Sequence, residues 1–341
     1  MLRLAILGCG AVTERLHLPA AREVSGLQVT LLVDRNIERA TSLARRFGIP
    51  AARDTLEDIE RAIDGVLVAL PNRLHAPVSV RFLARGIPVL VEKPMALSTR
   101  EARGMIEAAQ AGGAVLQVGQ MKRFSLGAIR IKDLLDRGHL GTVTGFSIDW
   151  GEDFHWPLTT DSGMNLGEAG GGVLVDFGSH LLDLLCWWLG QPTLIKYADD
   201  NRGGLEADCA LSVGIPAGVT GEIRFSRLRE FPNTVRIYGD RLSVEWDHLT
   251  PDGVRVRPTR EDLPLGEPAG ELAEAQAFED LFVRQLGAFV DAVASGGSSA
   301  VSGESVVPSV ELIEQCYRER QRLTEPWDCP VAVPGLTEAA R

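Results

Sequence analysis

The first 120 residues alternate between short, almost unbroken apolar runs and longer segments whose apolar positions recur every three to four residues. The apolar runs at 2–7, 27–33, 66–70, 88–91 and 115–119 read as strands, and the segments at about 11–22, 36–47, 55–63, 75–85 and 98–111 read as helices. Strands that lack polar alternation are buried on both faces. The pattern predicts an α/β unit, a doubly wound parallel sheet with helices on both sides and ligands at the carboxyl ends of its strands. After Met121 the rhythm changes. Helices are predicted at 125–136 and 172–188, and strands at 142–150, 193–198, 206–214, 219–227, 233–238, 241–247 and 253–257. Strands in series, joined by turns such as Gly203-Gly204 and Gly239-Asp240, imply an open, mostly antiparallel sheet in an α+β second unit. An amphipathic helix at 274–295, a last helix at 303–321 and an extended tail from Glu325 complete the chain. The expected division is 1–121 and 122–341, with the tail returning to the first unit.

Composition narrows the function classes. A chain of 341 residues suits two domains, and 45% hydrophobic residues suffice for full cores. A net charge of −11 argues against a nucleic-acid partner, which needs clustered cations. The five cysteines are scattered and form no CxxC pair, as expected of reduced thiols in a cytoplasmic protein. No signal-like N-terminus is read and no apolar run of membrane length is expected, so no membrane partner is predicted.

Chemistry enters at the turn after the first strand. Gly8-Cys9-Gly10-Ala11-Val12-Thr13 carries two of the three glycines of a dinucleotide fingerprint, with Thr13 at the third position. Glycine permits a positive φ and lets the backbone approach a pyrophosphate, while the helix that follows points its N-terminus at the phosphates. Gly8, Gly10, Ala11 and Val12 are the candidate contacts. The next strand ends in Val33-Asp34, about 20–25 residues on, where the motif places an acid. Asp34 there accepts bonds from ribose hydroxyls and repels a 2′-phosphate, which favours NAD over NADP. Arg35 beside it either stacks on adenine or tolerates that phosphate.

Two further clusters lie at the same edge. Leu70, Pro71, Asn72 and His75 follow the strand at 66–70 as candidate cofactor contacts, although Asn72 and His75 equally suit capping of the next helix. Glu92-Lys93-Pro94 ends the strand at 88–91, and the Lys-Pro bond halts the strand and turns Lys93 toward the cleft. An ammonium there either donates to a reacting oxygen or is simply solvated.

Asp176, His180 and Asp183 stand at i, i+4 and i+7, on one face of an apolar helix preceded by Gly170-Gly171-Gly172. A carboxylate one turn from an imidazole suits a proton relay in which the acid orients the ring; a mutually satisfied core pair is the alternative. No third ligand accompanies them, so no metal is expected. Arg123 either clamps a substrate or holds an interdomain ion pair. His155 and Trp156 lie in an irregular stretch at 151–170.

The ordered set resembles the Gfo/Idh/MocA family of oxidoreductases, named for glucose-fructose oxidoreductase and inositol dehydrogenase. The resemblance rests on the Gly8 turn, Glu92-Lys93-Pro94, Arg123-Phe124, the GGGxLxDxGxHxxD segment from Gly170 to Asp183, the helix after 300 and Pro326-Trp327. It implies an N-terminal Rossmann domain binding NAD(P), a C-terminal domain for substrate and oligomerisation, and a homodimer or homotetramer built through the open sheet. It also implies Lys93 beside the nicotinamide, His180 as acid–base residue with Asp176 as its partner, and a sugar or cyclitol oxidised or reduced at a ring carbon. Lys93, Arg123, His155, Trp156, Asp176 and His180 are thus the expected substrate-facing residues, Trp156 either stacking on a sugar ring or packing. A redox-neutral enzyme with tightly held NAD and a non-catalytic dinucleotide sensor are the competing readings. The acids of 149–168 disfavour a doubly charged sugar nucleotide there and suit a neutral or amino-substituted sugar, unless they form only a solvated loop.

Overall fold

A computed structural model describes residues 1–153, 157, 162–216, 218–250, 252–259 and 276–323. The six strands β1 (Leu2–Leu7), β2 (Leu27–Val33), β3 (Ala51–Arg53), β4 (Gly65–Val68), β5 (Val89–Glu92) and β6 (Leu116–Gly119) form a parallel sheet in the order β3-β2-β1-β4-β5-β6. Every residue of β4, β5 and β6 is buried, which is why these strands lack polar alternation. The order reverses between β1 and β4, and the crevice above that reversal is where such sheets bind ligands.

The connecting helices form where capping chemistry allows. The first runs over 11–21, with Thr13–His17 in a π-helical turn ahead of α1 (Leu18–Ala21). Asn36 caps α2 (Ile37–Phe47), accepting from the Arg39 N–H at 3.0 Å, and α3 (His75–Leu83) follows β4. Ser98 caps α4 (Thr99–Gly112). The helix expected at 55–63 does not form. Asp58 has φ +53°, which no α-helix admits, and only a 3₁₀ turn at Glu60–Ala62 remains. The strand β3 just before it was not expected at all.

After α5 (Leu126–Asp136) come β7 (Val143–Gly151), α6 (Leu166–Ala169) and α7 (Ser179–Leu189). The strands β8 (Thr193–Asp199), β9 (Asp208–Gly214), β10 (Thr220–Ser226), β11 (Thr234–Gly239), β12 (Leu242–Asp247) and β13 (Val254–Pro258) follow. They join β7 and a short β14 (Gln321–Arg322) in the order β13-β12-β11-β7-β10-β9-β8-β14. Only β7–β10 and β8–β14 run parallel. One face packs Ile148, Ile223, Phe225 and Val235 against Leu181, Leu184 and Leu185 of α7. The alternate residues carry ion pairs instead, such as Arg224–Asp149 at 2.7 Å and Arg236–Glu245 at 2.8 Å.

Contrary to the expectation of no membrane-length apolar run, Leu166–Leu189 is long and apolar enough to cross a membrane, by length and composition. Most of it is buried inside the protein, and Gly170 at φ +79° ends α6 within it.

The last two helices, α8 (Asp280–Ser295) and α9 (Gly303–Arg318), return to the first sheet. Leu281, Phe282, Leu286 and Phe289 of α8 pack with Leu4, Ile6, Leu67 and Leu90. Val306 and Val310 of α9 pack with Met105 and Val118. The expected helix end at 321 is Arg318 instead, because Gln321 and Arg322 pair with Ala198 and Asp199 of β8. The tail from Glu325, with Pro326 and Trp327, lies outside the described residues.

Candidate active site

A cleft of about 690 Å³ opens over the carboxyl ends of β1, β4 and β5 and is closed on its far side by β7 and the segment leading into α7. Val12, Leu70, Asn72, Lys93, Asp176 and His180 all line it.

The turn that leads into the cleft is fixed by contacts that need glycine. Gly8 has φ +100°, and a Cβ there would sit 2.2 Å from the Ala69 carbonyl oxygen. The Thr13 hydroxyl donates to the Gly8 carbonyl at 2.7 Å, closing the turn from the third fingerprint position. The helix then starts at Ala11, and the N–H groups of its first turn lack intrahelical acceptors. This cradle fits the pyrophosphate of a dinucleotide. At the end of β2 the Asp34 carboxylate accepts from the Cys9 N–H and the Asn36 N–H, both at 2.8 Å, with Arg39 3.8 Å away. Each oxygen keeps a further lone pair for a ribose hydroxyl. Arg35 is exposed next to it.

His75 proves a clamp. Its Nδ1 faces the Pro94 carbonyl at 2.7 Å and its Nε2 the Leu70 carbonyl at 2.8 Å, so neither nitrogen is left for a cofactor. It joins the loops after β4 and β5, and burial pushes its pKa down against the pull of the two carbonyls. Asn72 also bridges, donating to the Ala169 carbonyl at 2.9 Å; Pro71 starts the turn at Asn72–Leu74.

Glu92 is 9% exposed and accepts a 2.8 Å hydrogen bond from His17 Nε2, in the π-helical turn. Burial would raise its pKa, but the His17 hydrogen bond and the charges of His17 and Lys93 outweigh it and hold the carboxyl low. Lys93, followed by a cis peptide bond to Pro94, extends across the cleft. Its Nζ donates to Asp176 Oδ1 at 2.7 Å and to the Asp176 carbonyl at 3.1 Å.

The expectation that Asp176 orients His180 is not met. One Asp176 oxygen holds Lys93 and the other takes Arg227 at 2.7 Å. The reason is geometric: Leu174–Gly178 forms a π-helical turn, whose wider winding takes Asp176 out of the α-helical stack. Burial favours the neutral acid, yet the two cations prevail and keep Asp176 well below the ordinary carboxylate range. His180 Nδ1 is buried with no hydrogen-bond partner among the described residues. Nor does Asp183 share that site. It is bound by Arg123 through Nε and a terminal nitrogen, both at 2.7 Å, and Arg123 also reaches Ser305. Arg123 is therefore an internal strut joining α7 to α9 rather than a substrate clamp. His155 and Trp156 lie outside the described residues.

Burial first, then repulsion from Lys93 and Lys122, holds His180 well below the ordinary imidazole value and so neutral. His248, whose Nε2 faces the Asp149 carbonyl at 3.0 Å, is pushed down to about 3 by burial and then by Lys122. For both rings the unfolded chain binds the proton more tightly than the folded one. Their stabilising effect is complete above about pH 6.5 and is lost below it, by about 1.4 kcal/mol per pH unit for each ring until its folded pKa is reached. The Tm is expected to fall steadily from about pH 6.5 to pH 5; a Tm that stays flat over that interval contradicts the assignment.

Comparison with known proteins now bears on this geometry. Residues 2–120 match the model of the oxidoreductase family with an NAD-binding Rossmann fold, and residues 128–245 match the GFO/IDH/MocA C-terminal domain. The rhizopine catabolism protein MocA of Rhizobium meliloti is 30% identical over 318 residues, which cover 83% of this chain and 96% of that protein. The chain belongs to the Gfo/Idh/MocA family. A dTDP-3,4-didehydro-2,6-dideoxy-alpha-D-glucose 3-reductase of Streptomyces violaceoruber is 26% identical over 88% of this chain and 87% of its own length. Aldose-aldose oxidoreductase from Caulobacter crescentus, solved with glycerol, superposes with a TM-score of 0.81 at 26% identity, covering 93% of this chain and 97% of that one. This Gfo/Idh/MocA protein is an NAD(P)-dependent oxidoreductase.

Three residues of the cleft and its support have no local sequence signal. His17 meets Glu92 from 75 positions away, Arg227 meets Asp176 from 51, and Lys122 stood in view beside Arg123 without its burial being legible. Glu206 is a fourth. Its carboxylate accepts from the Gly172 N–H at 2.9 Å and the Leu174 N–H at 3.1 Å, so a buried acid on the strand side caps the start of the Asp176 helix.

Proposed function

We propose that this oxidoreductase exchanges a hydride between a nicotinamide and a ring carbon of a sugar, cyclitol or sugar derivative, with NAD preferred over NADP. The meeting of Lys93, Asp176 and His180 in one cleft at the carboxyl edge of the dinucleotide sheet carries the reading. The sugar-derived names of the similar reductase and aldose oxidoreductase support the substrate class, and Asp34 supports NAD.

The bound nicotinamide supplies the hydride acceptor or donor. His180, kept neutral by burial, takes the hydroxyl proton as the carbon is oxidised. Lys93, fixed by the ionised Asp176, donates to the same oxygen and stabilises its developing charge. Arg227 on the other Asp176 oxygen prevents that carboxylate from leaving Lys93 for the imidazole. In addition, we place the protein in the cytoplasm, where its four described cysteines, all free and buried, stay reduced. We further propose a homodimer or homotetramer formed through the ion-paired face of the eight-stranded sheet. A panel of sugars, inositols and sugar nucleotides, assayed with NAD and NADP in parallel by the absorbance of the reduced nicotinamide, tests the function. Dinucleotide binding without turnover of any sugar or cyclitol would refute it.

A further inference from the structure

Lys122 is a cation that hydride transfer leaves without a task. It sits in the 3₁₀ turn Met121–Phe124 after β6, is 5% exposed, and lines the same cleft as Lys93 and His180. Its Nζ donates one hydrogen bond, to the His248 carbonyl at 2.8 Å, and lies 4.8 Å from the centre of the Trp150 ring. The neighbouring cations are all paired: Lys93 and Arg227 share Asp176, and Arg123 holds Asp183. Among the described residues, no carboxylate comes within ion-pair distance of Lys122. Burial lowers its pKa to about 8, with Glu152 and Asp247 opposing that only in part.

An ammonium has three N–H donors, so two remain beyond the bond to His248. A buried charge without a counter-ion is unfavourable, and in a cleft the ligand is the natural source of the missing charge. Vicinal hydroxyls would satisfy the two donors and leave the charge uncompensated. A phosphate dianion would bring one negative charge too many beside Glu152 and Asp153, which line the same cleft. A carboxylate matches on both counts. Two of the acids that make 149–168 look hostile to it are paired with cations, Asp149 with Arg224 and Glu168 with Arg73. Glu152, which accepts from the Trp150 indole N–H at 3.1 Å, keeps its charge, and that favours one added negative charge over two. Next to Lys122, Trp150 and Phe177 stack on each other at 4.1 Å and 9°, and both line the same cleft.

We propose that Lys122 binds a carboxylate of the substrate, which makes the substrate an acidic sugar: a uronate, an aldonate or a carboxylated cyclitol. This rests on the hydride-transfer reading, and two measurements keep the two claims apart. In the first, enzyme loaded with NADH is titrated calorimetrically with D-glucuronate, D-gluconate, D-glucose and D-glucosamine. Wild type is expected to bind at least one of the acids about tenfold or more tighter than glucose, the effect of a charge-assisted hydrogen-bond pair. Lys122→Met is expected to lose that ratio and Lys122→Arg to keep it. A wild-type preference for glucose or glucosamine, or no measurable binding of either acid, would overturn the proposal. So would a Lys122→Met variant that weakens acid and neutral sugar equally, since that assigns Lys122 only to holding the turn at His248. In the second, the same compounds are tested for NAD reduction, and the reduced dinucleotide is tested against their keto forms. Turnover of neutral sugars without acid preference in binding keeps hydride transfer and refutes the role of Lys122. Acid preference in binding without any hydride transfer does the reverse.

Discussion

Replacing Lys93 with methionine, or His180 with alanine, is expected to lower kcat by about 10²–10⁴-fold while dinucleotide affinity stays within about threefold of wild type. The two residues act on one substrate oxygen in the proposed mechanism, so adding the second change to either variant should lower kcat little further. Methionine keeps most of the length of Lys93 and removes the ammonium that bridges to Asp176 at 2.7 Å. Alanine at 180 removes a neutral imidazole whose depressed pKa leaves it unprotonated across the neutral range. Oxidation by wild type should consequently hold its rate below pH 6.5, where an ordinary histidine would already be charged. Steady-state kinetics, with dinucleotide binding followed by fluorescence, tests this. Wild-type turnover in a variant would remove the replaced residue from the reaction.

The second large effect is expected at Gly8. Alanine there must adopt φ +100°, and its Cβ would lie 2.2 Å from the Ala69 carbonyl oxygen and 2.7 Å from the Ala69 carbonyl carbon. Neither atom belongs to a flexible side chain, and the Ala69 N–H is itself bonded to the Leu7 carbonyl at 2.8 Å. The turn therefore has to open, moving the phosphate cradle. Gly8→Ala should weaken dinucleotide binding by about 100-fold or more, equivalent to about 3 kcal/mol. Gly48 offers the control: it too has a positive φ, +71°, but a Cβ there meets nothing within 4 Å. Gly48→Ala should cost about 1–2 kcal/mol of stability, the strain of the left-handed conformation, with binding unchanged. Calorimetric unfolding and binding titration of both variants decide the matter. Equal dinucleotide affinity in Gly8→Ala would show that the cradle tolerates a side chain.

Much of this was legible in the chain because the signals are local. Strands buried on both faces leave continuous apolar runs, so β1, β2, β4, β5 and β6 stood out, whereas β3 is three residues, Ala-Ala-Arg, with neither apolar length nor β-branched character. The helix expected at 55–63 had adequate composition, but Asp58 turned left-handed, which no periodicity announces. At the site, the Gly8 turn, Lys93 and the Asp176–His180 pair were visible as short motifs. Their partners were not. An i, i+4 spacing suggested that Asp176 served His180, and it takes a π-helical turn plus Arg227 from β10's far end to assign it to Lys93 instead. His75 and Arg123 were visible as residue types, but their hydrogen bonds to Pro94 and Asp183 depend on contacts across the fold.

The return of α8 to the first sheet has a consequence for how the chain is made. Phe282, Leu286 and Phe289 cover Leu4, Ile6 and Leu67, and the Gln117 side chain donates to the Gln285 carbonyl at 2.8 Å. The first strand to leave a ribosome therefore waits for a partner more than 270 residues behind it. Until it emerges, one side of the nucleotide-binding sheet stays uncovered and open to chaperones or to other nascent chains. The loop that must close is long, so this step is expected to be late and slow in folding. Synthesis stopped after β13 would yield a chain that carries every residue of the proposed catalytic group and still lacks the helix that covers the nucleotide-binding sheet.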